Sequence, residues 1–505
     1  MRKPLIFAAA AATAVLAFAT PSRANGRFPA ANQLVFSPAD PNYILLRATY
    51  ALLPSTDNGI TWRYLCEDAL GLPSDQGEDP SVGVMGDGTL LAGIPGARTG
   101  GIGLNVSTDR GCNWTCEVND GLLNQTITDV AVRPDNPASA VALTGTIIPN
   151  DGSTPTTYST QVFETKDNGK TWAPLPAAID PTVIVQTIDV TKSDPDRIYV
   201  SATRGYGSFA TAMLFVSKDH GKSWTEQPIP QFDADTEAGI YIGAIDPTNA
   251  DRVYLRTAAL KEGGQSRVFY TNTGGADAGM ATFLQSPTLP AEGGFEVDEA
   301  GMADVTGELL GMALSPDGSK LYVGTVESGL WIANTSDMVF TQKNSKVHVK
   351  CLATRGDELW ACSEVDAPGD FVLGLSHDDG ATFDPRIQYV TSICSAVDCP
   401  ANPGGPLGCG ATVNASSCVD AFNTFCSYDV TMSCGTCPTP DAGTPVAPQD
   451  AGIADAGTHG AGGSSSSSCS CSEAGRRGSA AGLAAGLAFA GLALSRRRRT
   501  RGPRR

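Results

Sequence analysis

Most residues that could support chemistry lie in three polar stretches, at 203–211, 231–241 and 285–308. These stretches combine carboxylates with aromatic rings and a guanidinium group. Such a cluster can line a sugar-binding cleft, supply the acid and base of a glycosidase, or hold Ca²⁺ between loops. The simpler interpretation, which we favour, is that they are solvated loop acids of an acidic protein. The candidates are Arg204, Tyr206, Asp233, Asp235, Glu237, Tyr241, Glu296, Asp298, Glu299, Asp304 and Glu308.

Other catalytic chemistries have few residues to draw on. The four histidines are His220, His348, His377 and His459, and two of them lie inside the repeat motif described below. No Cys-x-x-Cys pair has a histidine at metal-ligand spacing. We therefore predict no metal site and no cofactor, apart from the Ca²⁺ alternative.

The elements that position these residues are repeats. Five segments share the pattern Ser/Thr-x-Asp-x-Gly-x-x-Trp/Phe, and two degenerate copies fill the gap between the fourth and the fifth. They are 55–62 (STDNGITW), 107–114 (STDRGCNW), 165–172 (TKDNGKTW), 217–224 (SKDHGKSW), 271–283 (degenerate), 334–340 (degenerate) and 376–383 (SHDDGATF). Their final aromatic residues are 52, 58, 52, 59, 57 and 43 residues apart. This period predicts seven structural repeats.

Each repeat has the same internal order. An apolar strand, a polar turn and a second strand rich in Tyr, Val and Leu come first, as in 188–203 (IDVTKSDPDRIYVSAT). A third strand enters the motif and a fourth follows it. Four strands separated by turn residues are typical of a propeller blade. We therefore expect an all-β fold, a single seven-bladed β-propeller of four-stranded blades at residues 25–390.

The motif itself predicts a tight turn between the third and fourth strands. Its Ser or Thr and its Asp can accept hydrogen bonds from backbone N–H groups of that turn. Its Gly suits a positive φ, and its Trp or Phe can fill space beneath the hairpin.

These segments resemble the Asp-box (BNR) repeat family, whose members include sialidases, xyloglucanases, the sortilin ectodomain and a photosystem assembly factor. The resemblance covers roughly residues 27–390 and implies fold more firmly than function. It also implies that the Asp boxes lie away from the ligand face and have a structural role. The positions concerned are Asp57, Gly59, Trp62, Asp109, Gly111, Trp114, Asp167, Gly169, Trp172, Asp219, Gly221, Trp224, Asp378, Gly380 and Phe383.

In the same family, ligands meet the loops between strands two and three and the connections between blades. The longest of these loops are 145–160, 203–211, 231–241 and 285–308. The sequence matches the enzymes of this family poorly. The segment 26–29 (GRFP) does not fit the Phe-Arg-Ile-Pro segment of sialidases, and such xyloglucanases use two propellers where this chain has one.

Two function classes therefore stay open. The first is a non-catalytic recognition module at the cell surface that binds a glycan or a protein. The alternative is a glycoside hydrolase of the Asp-box superfamily. Two convergent carboxylates about 5 to 10 Å apart in a deep cleft would favour the hydrolase.

The fourteen cysteines predict disulfides in an oxidising compartment. Cys351 and Cys362 flank the turn 355–357, and a hairpin there would place them opposite each other, so we predict a cross-strand disulfide. Among Cys66, Cys112 and Cys116 we expect one pair and one odd thiol.

A segment at 391–437 is rich in cysteine, with seven between 394 and 437. It is too short to fold by apolar burial alone, so we expect a disulfide-knit unit. One long-range bridge from this unit to the first two blades would help to close the ring.

The two ends predict export and anchoring. Residues 1–24 have the basic start, apolar run and small-residue cleavage site of a signal peptide. Residues 438–468 have the Pro, Ala, Gly and Ser content of a disordered stalk. Within 469–505, an uncharged run at 479–495 precedes four arginines, which is the positive-inside pattern of a C-terminal transmembrane helix.

The C-terminal stretch resembles the myxobacterial C-terminal sorting signal. That resemblance implies a processing protease of the myxosortase type acting beside Cys469 or Cys471; the alternative is a plain transmembrane anchor. We expect an exported protein that is held at the cell surface, and associated with the membrane, through its C-terminus. The net charge of −18 argues against nucleic acid as a partner.

Overall fold

The computed structural model describes residues 31–72, 79–95, 103–116, 121–149, 156–260, 265–274, 284–285, 296–297, 303–306, 309–363, 370–388, 392–402, 411 and 413–427. The expected signal peptide, stalk and C-terminal sorting segment lie outside these residues. The predicted fold class is confirmed, since the described residues form seven four-stranded antiparallel blades in a ring.

The strands of each blade are given from the centre outward. Blade 1 contains Ala31–Phe36, Ile44–Ala48, Ala51–Ser55 and Trp62–Tyr64, and blade 2 contains Ser81–Val84, Leu90–Gly93, Leu104–Ser107 and Thr115–Cys116. Blade 3 contains Ile127–Val132, Ala140–Thr144, Val162–Thr165 and Ala173–Pro174, and blade 4 contains Val183–Val190, Ile198–Arg204, Thr211–Ser217 and Thr225–Ile229. Blade 5 contains Glu237–Ile245, Val253–Ala259, Val268–Thr271 and Leu284–Gln285. Blade 6 contains Leu309–Leu314, Lys320–Thr325, Gly329–Asn334 and Phe340–Asn344, and blade 7 contains Val349–Arg355, Glu358–Ser363, Leu373–Ser376 and Asp384–Ile387.

Shorter elements decorate the ring. They are a hairpin (Thr146–Ile148 with Thr157–Ser159), a small sheet (Gln265–Ser266, Glu296–Val297 and Ala303–Thr306), an added strand (Ile393–Ala396), two α-helices (Glu67–Leu70 and Cys418–Ser427) and two 3₁₀ turns (Gly207–Phe209 and Ala415–Ser417).

The core lies between neighbouring blades. The innermost strand of every blade packs on the innermost strands of both neighbours, which closes the ring. The second strands are almost wholly buried, as in Ile198–Arg204, because they are covered on both faces. This explains why their sequences are continuous apolar runs and not alternating ones.

The Asp boxes have one shared hydrogen-bonding pattern. In the first box the Ser55 hydroxyl donates to Asp57 Oδ1 at 2.8 Å and accepts from Gly59 N at 2.9 Å. Asp57 Oδ1 also accepts from Thr61 N at 2.8 Å. The same contacts recur in the other four complete boxes. Side chains therefore satisfy backbone donors that the tight turn leaves without partners.

The aromatic residue of each box packs beneath the turn and stabilises it. Trp62 and Trp114 are fully buried, and their indole N–H groups donate to the carbonyls of Gly59 and Gly111. Trp224 differs because its indole donates to Ala177 O of the preceding blade–blade connection at 3.0 Å. That box therefore also ties blade 4 to the segment that leads into it.

The degenerate box of blade 6 keeps the turn by other means. Met338 occupies the positive-φ position, at 55°, where the complete boxes have Gly. Its amide donates to Asn334 O at 2.8 Å in place of a side-chain hydroxyl. Phe340 is fully buried, as Trp62 and Trp114 are, so the aromatic anchor is kept although the box contacts are lost.

Removing the acceptor of one box should destabilise the fold. In Asp378→Ala, the backbone N–H and hydroxyl of Thr382 lose their acceptor, and we expect a loss of about 0.5–1.5 kcal/mol of unfolding free energy. The control is Asp357→Ala, a 92 % exposed carboxylate on the adjacent turn of the same blade. Thermal unfolding at pH 7 would contradict the structural role of Asp378 if both variants had the same midpoint.

This difference should also depend on pH. Hydrogen bonds from Thr382 and then from Ser376 lower the pKa of Asp378 to about 2. A lowered pKa gives a stabilising contribution that is present above the ordinary carboxyl pKa and is lost as the pH falls toward 2.

Blades 1 and 7 share no strand, because each is built from its own contiguous segment of the chain. Phe36 packs edge-on against Trp360, with ring centroids 5.9 Å apart. The Arg355 guanidinium lies 4.7 Å from the Phe36 ring and donates to Pro41 O at 2.9 Å. Ring packing and the hydrogen bonds of Arg355 therefore join the first and last blades of the ring.

Residues 392–427, which we call the C-terminal clasp, reinforce this region. The strand Ile393–Ala396 pairs in parallel with Trp62–Tyr64 at the outer edge of blade 1. The helix Cys418–Ser427 follows, and its Phe422 ring lies 5.8 Å from the Tyr64 ring. The clasp thus extends blade 1 with chain that comes from beyond blade 7.

Disulfides fix the clasp to the first two blades. Cys66 is bonded to Cys418 and Cys112 to Cys399, and Cys116 is also disulfide-bonded. The expected pair within the first two blades, with one odd thiol, is therefore wrong. One long-range bridge was expected; the structure has more than one, since Cys66–Cys418 and Cys112–Cys399 both connect the first two blades to the clasp. The predicted Cys351–Cys362 disulfide is confirmed.

Candidate functional site

The turns of the ring fall on two faces. Because the strands of a blade alternate in direction, the turns between strands one and two share a face with the Asp boxes, which we call the Asp-box face. Hydrogen bonds join the two sets, as from His220 N to Asp196 O at 3.0 Å. The loops between strands two and three and the blade–blade connections share the opposite face, which we call the loop face.

Arg204 lies on the loop face at the end of the second strand of blade 4. Its guanidinium contacts Glu226 Oε2 and Asp180 Oδ2, each at 2.8 Å. Hydrogen bonding to Glu226, with that to Asp180, raises the pKa of Arg204. A guanidinium held by two carboxylates is not available to clamp an anionic ligand.

Glu237 opens the first strand of blade 5 and is buried. Its oxygens accept from Arg267 Nε and Nη2, each at 2.7 Å, and from Asp233 N at 2.8 Å. Glu237 is thus one half of a bidentate ion pair, which holds the connection between blades 4 and 5 and leaves no free acid or base.

The other described candidates are spread out. Asp233 accepts from the Thr236 hydroxyl at 2.9 Å, while Asp235 is exposed and has no ion-pair partner among the described residues. The Tyr241 ring lies 4.7 Å from the Arg256 guanidinium. These residues form separate local networks and not one converging pair of carboxylates.

The last stretch of candidates is only partly described. Asp304 lies on the strand Ala303–Thr306, where it is the backbone partner of Glu296. Asp298, Glu299 and Glu308 lie outside the described residues.

The loop face over blades 3 to 5 exposes apolar side chains instead. Phe209 is 90 % exposed and Tyr206 is 52 % exposed. The Tyr206 hydroxyl is hydrogen-bonded to the hydroxyl of Tyr158, which lies on the hairpin of blade 3, so the loops of two blades meet here. The exposed set, which we call the loop-face patch, comprises Leu123, Ile147, Ile148, Tyr206, Phe209 and Leu260.

Only Tyr206 of this patch was among the sequence-predicted candidates. A search for charged groups passes over Ile147, Ile148 and Phe209, although apolar residues in polar loops such as TGTIIPN (144–150) and RGYGSFAT (204–211) were a usable signal. Several exposed apolar side chains on one face make that face a candidate interaction surface.

A second feature is a central cavity of about 450 Å³, lined by the innermost strands of blades 1 to 4. Asp129 lies on its wall and links three blades. Its carboxylate accepts from Ser81 Oγ of blade 2 at 2.7 Å, from Val130 N of its own strand at 2.9 Å and from Ile188 N of blade 4 at 3.0 Å. Burial nevertheless raises the pKa of Asp129.

Asp189 lies on the same wall, on the innermost strand of blade 4. Burial, and then repulsion by Asp129, raise the pKa of Asp189 to about 8. Its carboxyl group is therefore largely protonated at neutral pH. Neither residue was singled out from the sequence, because both lie within strands whose other residues are largely apolar.

The described residues contain no group of three or more His, Cys, Asp or Glu side chains placed to hold a metal ion. Within the same ranges, no helix has the length and apolar character needed to cross a bilayer.

Residues 103–281, from blades 2 to 5, match the family described as Sortilin-Vps10 (sortilin, neurotensin receptor 3). This segment is similar to sortilin. The match covers less than half of the chain, and it includes the loops that carry the loop-face patch. No curated protein matches the chain.

Several solved structures resemble this chain at low sequence identity. The GH74 enzyme of Niastella koreensis is 16 % identical, with a TM-score of 0.37 over 72 % of this chain and 66 % of that enzyme. YCF48 from Cyanidioschyzon merolae is 14 % identical, with a TM-score of 0.42 over 66 % of this chain and 93 % of that one. The GH74 xyloglucanase from Xanthomonas campestris is 15 % identical, with a TM-score of 0.24 over 70 % and 69 % of the two chains. Likenesses of this size carry no functional argument.

Proposed function

We propose that this protein is a non-catalytic recognition module that binds a polypeptide ligand through the loop-face patch. The observation that carries the proposal is the exposure of Phe209 and Tyr206 beside the hairpin of blade 3. Large aromatic side chains at the centre of an exposed patch are typical anchors of protein interfaces.

The composition of the patch favours a polypeptide over a glycan. Ile147 and Ile148 lie on the hairpin whose Tyr158 contacts Tyr206, and aliphatic side chains offer a sugar neither a flat ring face nor a hydrogen bond. The nearest guanidinium, on Arg204, is occupied by Asp180 and Glu226. A surface of this kind suits the apolar side chains of a peptide or protein.

The glycoside hydrolase alternative is less well supported. Glu237, the most buried carboxylate among the loop-face candidates, is held by Arg267. Asp129 and Asp189 lie inside the ring and not in a loop-face cleft. A hydrolase remains an outcome of the experiment below.

We further propose that the module is exported and displayed at the cell surface through its C-terminus, with processing of the sorting segment by a dedicated protease. The clasp supports this proposal because it fixes the chain before the stalk to blades 1 and 2 through two disulfides. The loop-face patch lies over blades 3 to 5, and a tether attached at the clasp leaves it accessible.

The test uses the purified protein, a displayed library of random twelve-residue peptides and a glycan array. We expect selected peptides to bind the wild type and to lose roughly tenfold or more in affinity for Phe209→Ser, since truncating an interface aromatic residue typically costs over 1 kcal/mol. The matched control is Ile60→Ser, which removes a 68 % exposed apolar side chain from the Asp-box face.

Three results would overturn the proposal. Peptides that bind Phe209→Ser as well as the wild type would exclude the patch. Oligosaccharide binding that Phe209→Ser abolishes would identify a glycan module. Release of reducing sugar from an arrayed glycan, abolished by one carboxylate substitution, would identify a hydrolase.

A further inference from the structure

The loop-face patch has an acidic border. Among the described residues, the connections that lead into blades 4 and 5, together with the strand residues of their ion-pair clusters, carry five carboxylates and two guanidinium groups, a formal charge of −3. The carboxylates are Asp180, Glu226, Asp233, Asp235 and Glu237, and the guanidinium groups are Arg204 and Arg267.

The negative charge is not neutralised locally. Arg204 is shared by two carboxylates, Asp180 and Glu226, each about one third exposed, so that cluster keeps a net charge of −1. Asp233 and Asp235 are exposed, and neither has an ion-pair partner among the described residues. Arg267 forms an ion pair with Glu237 and therefore does not neutralise the other carboxylates.

The acidic groups adjoin the exposed aromatic residues. In blade 4 the strand that follows Phe209 pairs with the outermost strand, with Ala212 opposite Ile229. The connection that carries Asp233 and Asp235 starts directly after Ile229. On its other side, Thr236 O accepts from Leu260 N at 2.8 Å, so the acidic connection lies between two parts of the patch.

We infer that the ligand is a polypeptide segment that combines apolar side chains with Lys or Arg. This inference rests on the proposed function and names its partner class. The apolar side chains cover Phe209 and Tyr206, while the cationic groups meet Asp233, Asp235 and the Arg204 cluster. Charge complementarity of this kind raises the association rate and fixes register, and it is screened by salt.

The experiment compares two variants with the same change in net charge. Asp233→Asn/Asp235→Asn removes the acidic border, and Asp196→Asn/Asp357→Asn removes two exposed carboxylates from the Asp-box face. The probe is the displayed twelve-residue peptide library, selected on the wild type at low salt. We expect the selected peptides to be enriched in Lys and Arg beside aromatic and aliphatic residues.

We expect the border variant to bind these peptides about three- to tenfold more weakly at low salt, with a flatter salt dependence, and the control variant to match the wild type. Equal binding by both variants, or selected peptides without enrichment in Lys and Arg, would overturn the inference. If Phe209→Ser still abolished binding in that case, the proposed function would stand without its cationic partner.

Discussion

Replacing Cys66, Cys112, Cys399 and Cys418 with alanine is expected to lower the unfolding free energy by more than about 6 kcal/mol. Cys66–Cys418 and Cys112–Cys399 close loops of 352 and 287 residues, so they restrict the unfolded chain strongly. They also hold the clasp beside a ring junction that shares no strand between blades 1 and 7. The measurement is urea unfolding followed by tryptophan fluorescence, since Trp62 and Trp114 are buried in blades 1 and 2.

The matched control is Cys351→Ala/Cys362→Ala, which opens a loop of only 11 residues. Chain entropy gives that bridge about 3 kcal/mol, so the control should lose less than half as much. If the two variants lost equal stability, the clasp would be an appendage and would not brace the ring.

Asp189→Asn is expected to stabilise the protein at pH 8 by on the order of a few kcal/mol and to change little at pH 4. The pKa of Asp189 is raised to about 8, so the folded state keeps a proton that the unfolded chain releases above pH 4. The wild type therefore loses stability as the pH rises from about 4 to 8, whereas the amide variant does not.

Thermal unfolding of both proteins at several pH values checks this prediction, with Asp87→Asn, an exposed turn carboxylate of blade 2, as the control. A gain that does not depend on pH would show that packing and not charge is responsible. A difference that shrinks as the pH rises would mean that Asp189 is ionised and paired inside the cavity.

The architecture could be predicted from the sequence because its determinants are local. Each Asp box contains its own acceptors, its positive-φ glycine and its aromatic anchor within eight residues, as in 55–62. Cys351 and Cys362 were predictable for the same reason, since they belong to one hairpin. Local pattern and repeat spacing thus determine the blades and their number.

The pairing of Cys66 and Cys112 was not predictable in this way. Both are closer in sequence to Cys116 than to their partners in the clasp, but sequence distance does not measure distance in a closed ring. Which chain segment covers the outer edge of blade 1 depends on where the ring closes. That is a property of the assembled fold and not of any one repeat.

The site was predicted only in part, because several of the charged residues chosen from the sequence form structural ion pairs within the fold. Arg204 and Glu237 became members of ion pairs. Phe209 indicates a binding surface because its apolar side chain is exposed to solvent. This exposure could not be predicted, because the sequence does not show whether the loop of Phe209 is covered in the fold. Asp189 drew no attention because its strand neighbours are core residues.

The loop face over blades 3 to 5 is the proposed binding surface. Amide hydrogen exchange of the purified protein, with and without a library-selected peptide, tests this directly. We expect slower exchange at 145–149, 203–211 and 229–237 and no change in the Asp boxes at 55–62 and 107–114. Protection of those Asp boxes, or of the strands around the central cavity alone, would contradict the proposal.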